Sequence, residues 1–189
     1  MIRCYITDRR TAGSEAAVLE SVRRAAENGV EYIQVREKDL EARALLDFVE
    51  RIVAAVRPFA SRVLVNSRAD IALATGAAGV HLPANPIPLR NWRTITPEGF
   101  LISVSCHSLK EVTRAEGEGA DFVLFGPIFP TRSKPLAKPV GLEGLREAAG
   151  AVKIPVLALG GISAANDAQC VEAGAAGIAG ISMFQSPVL

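Results

Sequence analysis

The stretch from Asp121 to Lys134, Asp-Phe-Val-Leu-Phe-Gly-Pro-Ile-Phe-Pro-Thr-Arg-Ser-Lys, ends in two hydroxyls and two cations within four positions: Thr131, Arg132, Ser133 and Lys134. Hydroxyls and a lysine point charge satisfy anionic oxygens, and Pro127 and Pro130 stiffen the loop, so a phosphate or diphosphate suits it. An ordinary polar surface loop would have the same composition. Gly160-Gly161 ahead of a helix, and Gly180-Ile181-Ser182 near the end of the chain, make a second anion-binding pattern. Glycines let backbone N–H groups approach an anion, and a helix N-terminus adds a favourable dipole. Tight turns would ask for the same glycines. Gly160, Gly161, Ile181 and Ser182 are therefore the candidate phosphate ligands.

Arg36 and Lys38 flank Glu37. If the strand alternation continues, the two cations face the same way and suit a carboxylate or diphosphate; a solvated charge run would read the same. Asn66 could exchange hydrogen bonds with a ring heteroatom, or turn back to cap the helix that follows it. His107 is the best candidate for proton transfer, because an imidazole titrates near neutrality, although it could merely stand beside Ser108 at a helix start. His81, inside an apolar strand end, reads as structural. No Ser/His/Asp order, no His-Glu-x-x-His pattern and no spaced carboxylate pair is present, so hydrolase chemistry has no support.

These residues need a frame that brings distant loops together. Strand and helix patterns alternate along the whole chain. Ile2–Ile6, Glu31–Val35, Val63–Val65, Gly79–Leu82, Leu101–Ser105, Phe122–Phe125, Val156–Leu159 and Gly177–Ile181 read as strands. Helices are expected over about 14–28, 41–56, 68–75, 108–118, 142–149 and 164–173. Pro83, Pro86 and Pro88 make the connection after the fourth strand stiff and irregular. Eight such units in residues 1–189 point to a single-domain parallel (β/α)₈ TIM barrel. Only eight residues follow the last strand, so its covering helix should be truncated or missing, leaving a groove for a second copy or a rearranged neighbour to cover. A homodimer is the expected assembly. In this fold the strand C-termini carry the site, and they read Gln34 to Lys38, Asn66-Ser67-Arg68, His81-Leu82-Pro83, Ser105 to Ser108, Thr131 to Lys134, Gly160-Gly161 and Ile181-Ser182.

Composition narrows the class. The chain has 189 residues, 49% hydrophobic and 22% charged, with a formal net charge of +1. No global field attracts nucleic acid, and 5% aromatic residues with no basic-aromatic stripe argue against a single-strand stacking platform. Cys4, Cys106 and Cys170 are odd in number and lack metal-ligand spacing, which fits reduced thiols. With no signal-peptide profile and no long apolar run, a cytoplasmic protein without a membrane partner is expected.

The motifs Gln34-Val-Arg-Glu-Lys38, Val65-Asn-Ser-Arg-Ala-Asp-Ile-Ala72, Gly79-Val-His-Leu82, Val104-Ser-Cys-His-Ser108, Gly119-Ala-Asp-Phe-Val-Leu-Phe-Gly-Pro-Ile-Phe-Pro-Thr131 and Leu159-Gly-Gly-Ile162 resemble the thiamine-phosphate synthase and thiazole tautomerase superfamily. The resemblance implies a dimeric (β/α)₈ barrel handling a phosphorylated thiazole. Gln34, Arg36, Lys38, Asn66, Ser105, Thr131, Ser133 and Lys134 would line the substrate. The synthase joins hydroxymethylpyrimidine diphosphate to thiazole phosphate, and two aspartates hold its Mg²⁺. Here Ser67 and Pro86 stand at those aspartate positions. A hydroxyl and a proline cannot supply the carboxylates that Mg²⁺ takes. The tautomerase needs no metal and uses a histidine matching His107 as general acid/base, so the expectation is a tautomerase with His107 as catalytic residue, no metal ligand and no cofactor. The Thr131–Lys134 loop, which looks like the diphosphate loop of synthases, keeps the synthase with Mg²⁺ open as the alternative. A silent binder of thiazole phosphate or thiamine phosphate is the third reading.

Overall fold

The computed structural model describes residues 1–131, 133 and 135–185. Eight parallel strands close in sequence order, β1 beside β2 and so on round to β8. The strands are β1 (Ile2–Ile6), β2 (Tyr32–Val35), β3 (Arg62–Asn66), β4 (Gly79–Leu82), β5 (Leu101–Cys106), β6 (Phe122–Phe125), β7 (Val156–Leu159) and β8 (Gly177–Gly180). The helices are α1 (Arg9–Ala12), α2 (Glu15–Glu27), α3 (Ala42–Val56), α4 (Ala69–Thr75), α5 (Leu89–Arg93), α6 (Leu109–Gly117), α7 (Gly141–Ala151), α8 (Asp167–Glu172) and α9 (Ser182–Gln185). The (β/α)₈ barrel that the alternation implied is therefore the fold. No described helix is long and apolar enough to cross a membrane.

The chain forms two compact units, one of Arg3–His81 with the segment from Gly180 onward, the other of Met1–Ile2 with Leu82–Ala179. In the first, here called the N-terminal unit, α3 shows why the sequence folds as it does. Leu45, Phe48, Val49, Ile52 and Val56 recur at helical spacing and are all buried. Ser14 caps α2, its hydroxyl accepting from the Ala17 N–H at 3.1 Å. Register then decides which side chains share a face. Ile6 lies beside Gln34, Gln34 beside Leu64, and Asn66 beside His81, so these point to one side while Tyr5, Ile33 and Val63 point to the other.

In the second, central unit, Ser103, Val104, Ser105 and Cys106 pair with Phe122, Val123, Leu124 and Phe125. All four residues of β6 are buried, as its unbroken apolar run requires. Ser108 caps α6 by accepting from the Glu111 N–H at 3.3 Å, and Glu111 reaches back to the His107 N–H at 2.6 Å.

Two helices form where the sequence pattern names none. α1 is one, and Asp8 caps it by accepting from the Arg10 and Thr11 N–H groups. α5 forms within the proline-rich connection, starting after Pro88, where the proline's fixed φ costs a helix start nothing. After β8 the expected truncation holds: the helix there, α9, has four residues. Phe184 packs on Tyr5 with ring centroids 5.6 Å apart, and Gln185 Nε2 donates to the Asp8 carbonyl at 2.9 Å.

Candidate functional site

In the N-terminal unit, the end of β2 supplies most of the chemistry. Gln34 is buried, and its Nε2 donates to Asn66 Oδ1 at 3.2 Å. Asn66 Nδ2 donates in turn to Ser67 Oγ at 3.1 Å. Asn66 is thus held by its neighbour across the sheet rather than by a turn onto its own helix. Gln34 Oε1 is buried with no hydrogen-bond partner among the described residues. A buried acceptor without a donor is costly, so this oxygen marks a place where a bound molecule would bring an N–H or O–H.

Arg36 and Lys38 do not continue the strand's alternation. β2 stops at Val35, and the Leu40 N–H bonds to the Glu37 carbonyl at 3.3 Å, closing a turn around Lys38. Lys38 lines a cavity of about 250 Å³ together with Val35, Glu37, Asn66, Ser67 and Arg68; Arg36 is not among its lining residues. The cation pair drawn from spacing alone is therefore split. Between the two, Glu37 is 5% exposed, and its carboxylate is bound by the chain after β1. It accepts from Thr7 Oγ1 at 2.7 Å and from the Arg9 N–H at 3.1 and 3.0 Å. Burial raises its carboxyl above the ordinary range against these hydrogen bonds.

His81 is buried, and its imidazole is pushed from the ordinary 6.5 down to about 3, first by burial and then by the nearby Arg36 charge. It is neutral across the physiological range, in keeping with a structural part. Ser67 adopts φ +62, a left-handed conformation unusual outside glycine and asparagine, and its N–H is held by the His81 carbonyl at 2.8 Å. Such strain concentrates at functional sites. Arg68 grips Asp70 through Nε at 2.9 Å and Nη2 at 2.6 Å, holding that carboxyl below its usual range. Ile181 is half-buried and Ser182 is exposed at the start of α9.

The Mg²⁺ that the resemblance implies for a synthase would need carboxylate oxygens among these donors. Ser67 offers a hydroxyl, and the neighbouring carboxylate of Asp70 is occupied by Arg68. Among the described residues no group of three His, Cys, Asp or Glu side chains could hold a metal ion. A protein-held Mg²⁺ does not fit this donor set, and no step is derived through one.

In the central unit, the backbone does the positioning. The loop after β6 is pinned at each turn: Gly126 N–H to the Cys106 carbonyl at 3.1 Å, Ile128 N–H to Leu159 at 2.9 Å, Phe129 N–H to Gly160 at 3.0 Å. The Val140 N–H bonds to Pro127 and the Gly141 N–H to Ile128, at 2.9 and 3.1 Å. Gly160 and Gly161 have φ of +98 and +67. A Cβ on Gly160 would sit 2.7 Å from Pro127 Cβ, and one on Gly161 2.5 Å from the Pro130 oxygen. The glycine pair is required first because the β6 loop passes directly over it. Thr131 and Ser133 continue from this loop, with the Ser133 N–H 3.4 Å from Thr131 Oγ1. Arg132 and Lys134 lie outside the described residues.

His107 Nδ1 is hydrogen-bonded to the Gly126 carbonyl. A carbonyl only accepts, so Nδ1 carries a proton in this contact. The ring lines a cavity of about 370 Å³ with Phe125, Lys138, Val140 and Glu147. Ser105 is paired with Leu124, on the face of the sheet opposite Cys106 and Phe125, and it is not among that cavity's lining residues. This cavity joins His107 to Phe125 and α7. Thr7 and Glu37 escaped the sequence reading. The strand-end rule, applied to β1, would have flagged Thr7-Asp8-Arg9.

Comparison with known proteins agrees with this frame. Residues 4–184 match the family model described as thiamine monophosphate synthase. A putative thiamine-phosphate synthase 2 of Aquifex aeolicus is 44% identical over 179 residues, spanning 95% of both chains. A putative thiamine-phosphate synthase of Geobacter sulfurreducens is 45% identical over 94% of this chain and 83% of its own. The solved thiamine phosphate pyrophosphorylase from Pyrococcus furiosus superposes with a TM-score of 0.87 at 37% identity, covering 98% of this chain and 88% of that one.

Proposed function

This chain belongs to the thiamine monophosphate synthase family, and we propose that it catalyses the synthase reaction, joining hydroxymethylpyrimidine diphosphate to thiazole phosphate. The names of its relatives support this alternative better than the tautomerase that the missing aspartates favoured. In the reaction the thiazole nitrogen attacks the methylene carbon of the pyrimidine. A C–N bond forms, the C–O bond to diphosphate breaks, and diphosphate leaves with the electron pair. The observation that carries the reading is Gln34 Oε1, a buried acceptor that lacks a donor. The amino group of the pyrimidine brings that donor, whereas a thiazole carboxylate brings only acceptors.

The remaining roles follow from charge and reach. Arg36 has no carboxylate partner among the described residues, and its guanidinium suits a diphosphate oxygen. Lys38, Thr131, Ser133 and Lys134 are each of a type suited to an anionic oxygen of the substrates. Asn66 orients Gln34 through its 3.2 Å hydrogen bond. Gly160 and Gly161 in the central unit, and Ile181 and Ser182 in the N-terminal unit, are each candidates to offer backbone N–H groups to a phosphate. Mg²⁺ would neutralise diphosphate charge when bound to that substrate. This chain contributes cations and hydroxyls in place of the two aspartates, which predicts a weaker dependence on the metal.

The tautomerase remains a second reading because of one specific feature. The hydrogen bond from His107 Nδ1 to the Gly126 carbonyl fixes the orientation of an imidazole that lines a cavity, as a proton-transfer group needs. Incubation of the purified protein with each substrate set, with and without Mg²⁺, separates the two. Thiamine phosphate is the expected product. Aromatised carboxythiazole phosphate with no thiamine phosphate would overturn the synthase reading, and neither product would leave a binding protein.

A further inference from the structure

The Arg36-Glu37-Lys38 run contains a buried carboxylate that the reaction does not consume and that is bonded to Thr7, directly after β1, and to the start of α1. Glu37 Oε1 accepts from Thr7 Oγ1 at 2.7 Å, and both carboxylate oxygens accept from the Arg9 N–H at 3.1 and 3.0 Å. The same Thr7 hydroxyl accepts from the Arg36 N–H at 3.0 Å. The Thr7 N–H in turn bonds to the Gln34 carbonyl at 2.9 Å. One hydroxyl is thereby shared, accepting from the backbone of Arg36 and donating to the carboxylate beside it. The chain leaves β2 at Val35, so no ladder bond beyond that point holds Arg36. The Thr7–Glu37 pair supplies what the sheet does not.

We propose that Glu37, acting through Thr7, is a positioning residue that sets Arg36 where it meets the anionic substrate. The proposal rests on the synthase reading only in the identity of that anion. A carboxylate suits the task better than a neutral acceptor. It takes one hydroxyl and one N–H without needing a donor of its own, and charge-assisted hydrogen bonds are the stronger kind. Its placement also spares Arg36. A carboxylate on the other side of the backbone would pair with the guanidinium and neutralise it. Here the negative charge is spent on Thr7 and Arg9, and the guanidinium stays available.

Inorganic pyrophosphate is the probe, because its binding can be measured without turnover. Titration calorimetry on the full-length protein compares wild type with Glu37→Gln, Thr7→Val, Thr7→Ser and Arg36→Ala, each checked by thermal melting. Glu37→Gln places an amide N–H against the Arg9 N–H, and Thr7→Val removes the shared hydroxyl. Both are expected to weaken pyrophosphate about 10-fold to 100-fold, as loss of a hydrogen bond to a charged group does. Thr7→Ser keeps the hydroxyl and should bind close to wild type. In turnover assays the same two variants should raise KM for the diphosphate substrate far more than they lower kcat. Glu37→Gln and Thr7→Val binding as tightly as wild type, while Arg36→Ala binds poorly, would overturn the positioning role and leave the anion site standing. No effect of Arg36→Ala, or no binding by the wild type, would refute the anion site and the positioning role together. Should Glu37→Gln fail to fold, the Thr7→Val and Thr7→Ser pair decides: equal affinities refute the proposal.

Discussion

The two units hold their candidate groups by opposite means. In the N-terminal unit, side chains hold side chains. Gln34 bonds to Asn66, Asn66 to Ser67, Glu37 to Thr7, and Arg68 to Asp70. In the central unit, the loop from Gly126 to Pro130 is held by backbone hydrogen bonds and by the absence of side chains at Gly160 and Gly161. Polar contacts of the first kind tolerate adjustment, because rotamers can shift and water can enter. Backbone packing of the second kind does not. The same substitution size should therefore cost far more in the central unit.

The sharpest break is Gly161→Val. A side chain there meets Pro130 and Phe129 and must adopt φ +67. Left-handed strain and overpacking together should destabilise the protein by about 3 kcal/mol or more, measured by chemical denaturation. Unchanged stability would show that the loop moves freely and that the backbone does not hold it.

Next in size is the response to pH in the N-terminal unit. His81 binds its proton far less well when folded, so between about 3 and 6.5 the unfolded chain carries more protons. Stability then rises with pH across that window and falls on acidification, by up to about 1.4 kcal/mol per pH unit. Glu37 opposes this. Its raised carboxyl binds a proton more tightly when folded, so its contribution falls as pH climbs from the ordinary 4.5 through the raised value. Asp8 adds to that rise, and the Thr7 and Arg9 hydrogen bonds limit it. His81→Gln should flatten the acid side of the profile; an unchanged slope would place the titration elsewhere.

His107 tests whether the central unit also does chemistry. As a holder of the Gly126 carbonyl, His107→Ala should lower thiamine phosphate formation about 10-fold, the loss of one hydrogen bond of about 1.5 kcal/mol, and His107→Asn should restore part of it. As a general base, the loss is about 10²-fold to 10⁴-fold and asparagine restores nothing. We expect the smaller effect. The smallest change should come from Asp70→Asn, which breaks an exposed ion pair worth about 0.2–1 kcal/mol and should leave the Mg²⁺ response unaltered.

Much of the frame was legible in the chain. The unbroken apolar run Phe122–Phe125, the 3.6-residue rhythm of Leu45, Phe48, Val49 and Ile52, and the caps at Ser14 and Ser108 act over neighbouring positions, and local periodicity is what sequence records. The eightfold alternation then implied the barrel, and the barrel implied which ends carry the chemistry. What lay beyond reach depended on partners far along the chain. Glu37 sits in a charge run that reads as solvated, yet Thr7, thirty positions earlier, makes it a buried acceptor. Arg36 and Lys38 alternate on paper, but β2 ends before them and a turn divides them. Gly160 and Gly161 read as an anion cradle, and the loop from β6 laid against them adds a steric demand for glycine that the sequence does not record. Burial and hydrogen bonding belong to pairs of segments, so the sequence determined the elements and the tertiary structure decided the surroundings of each polar group between them.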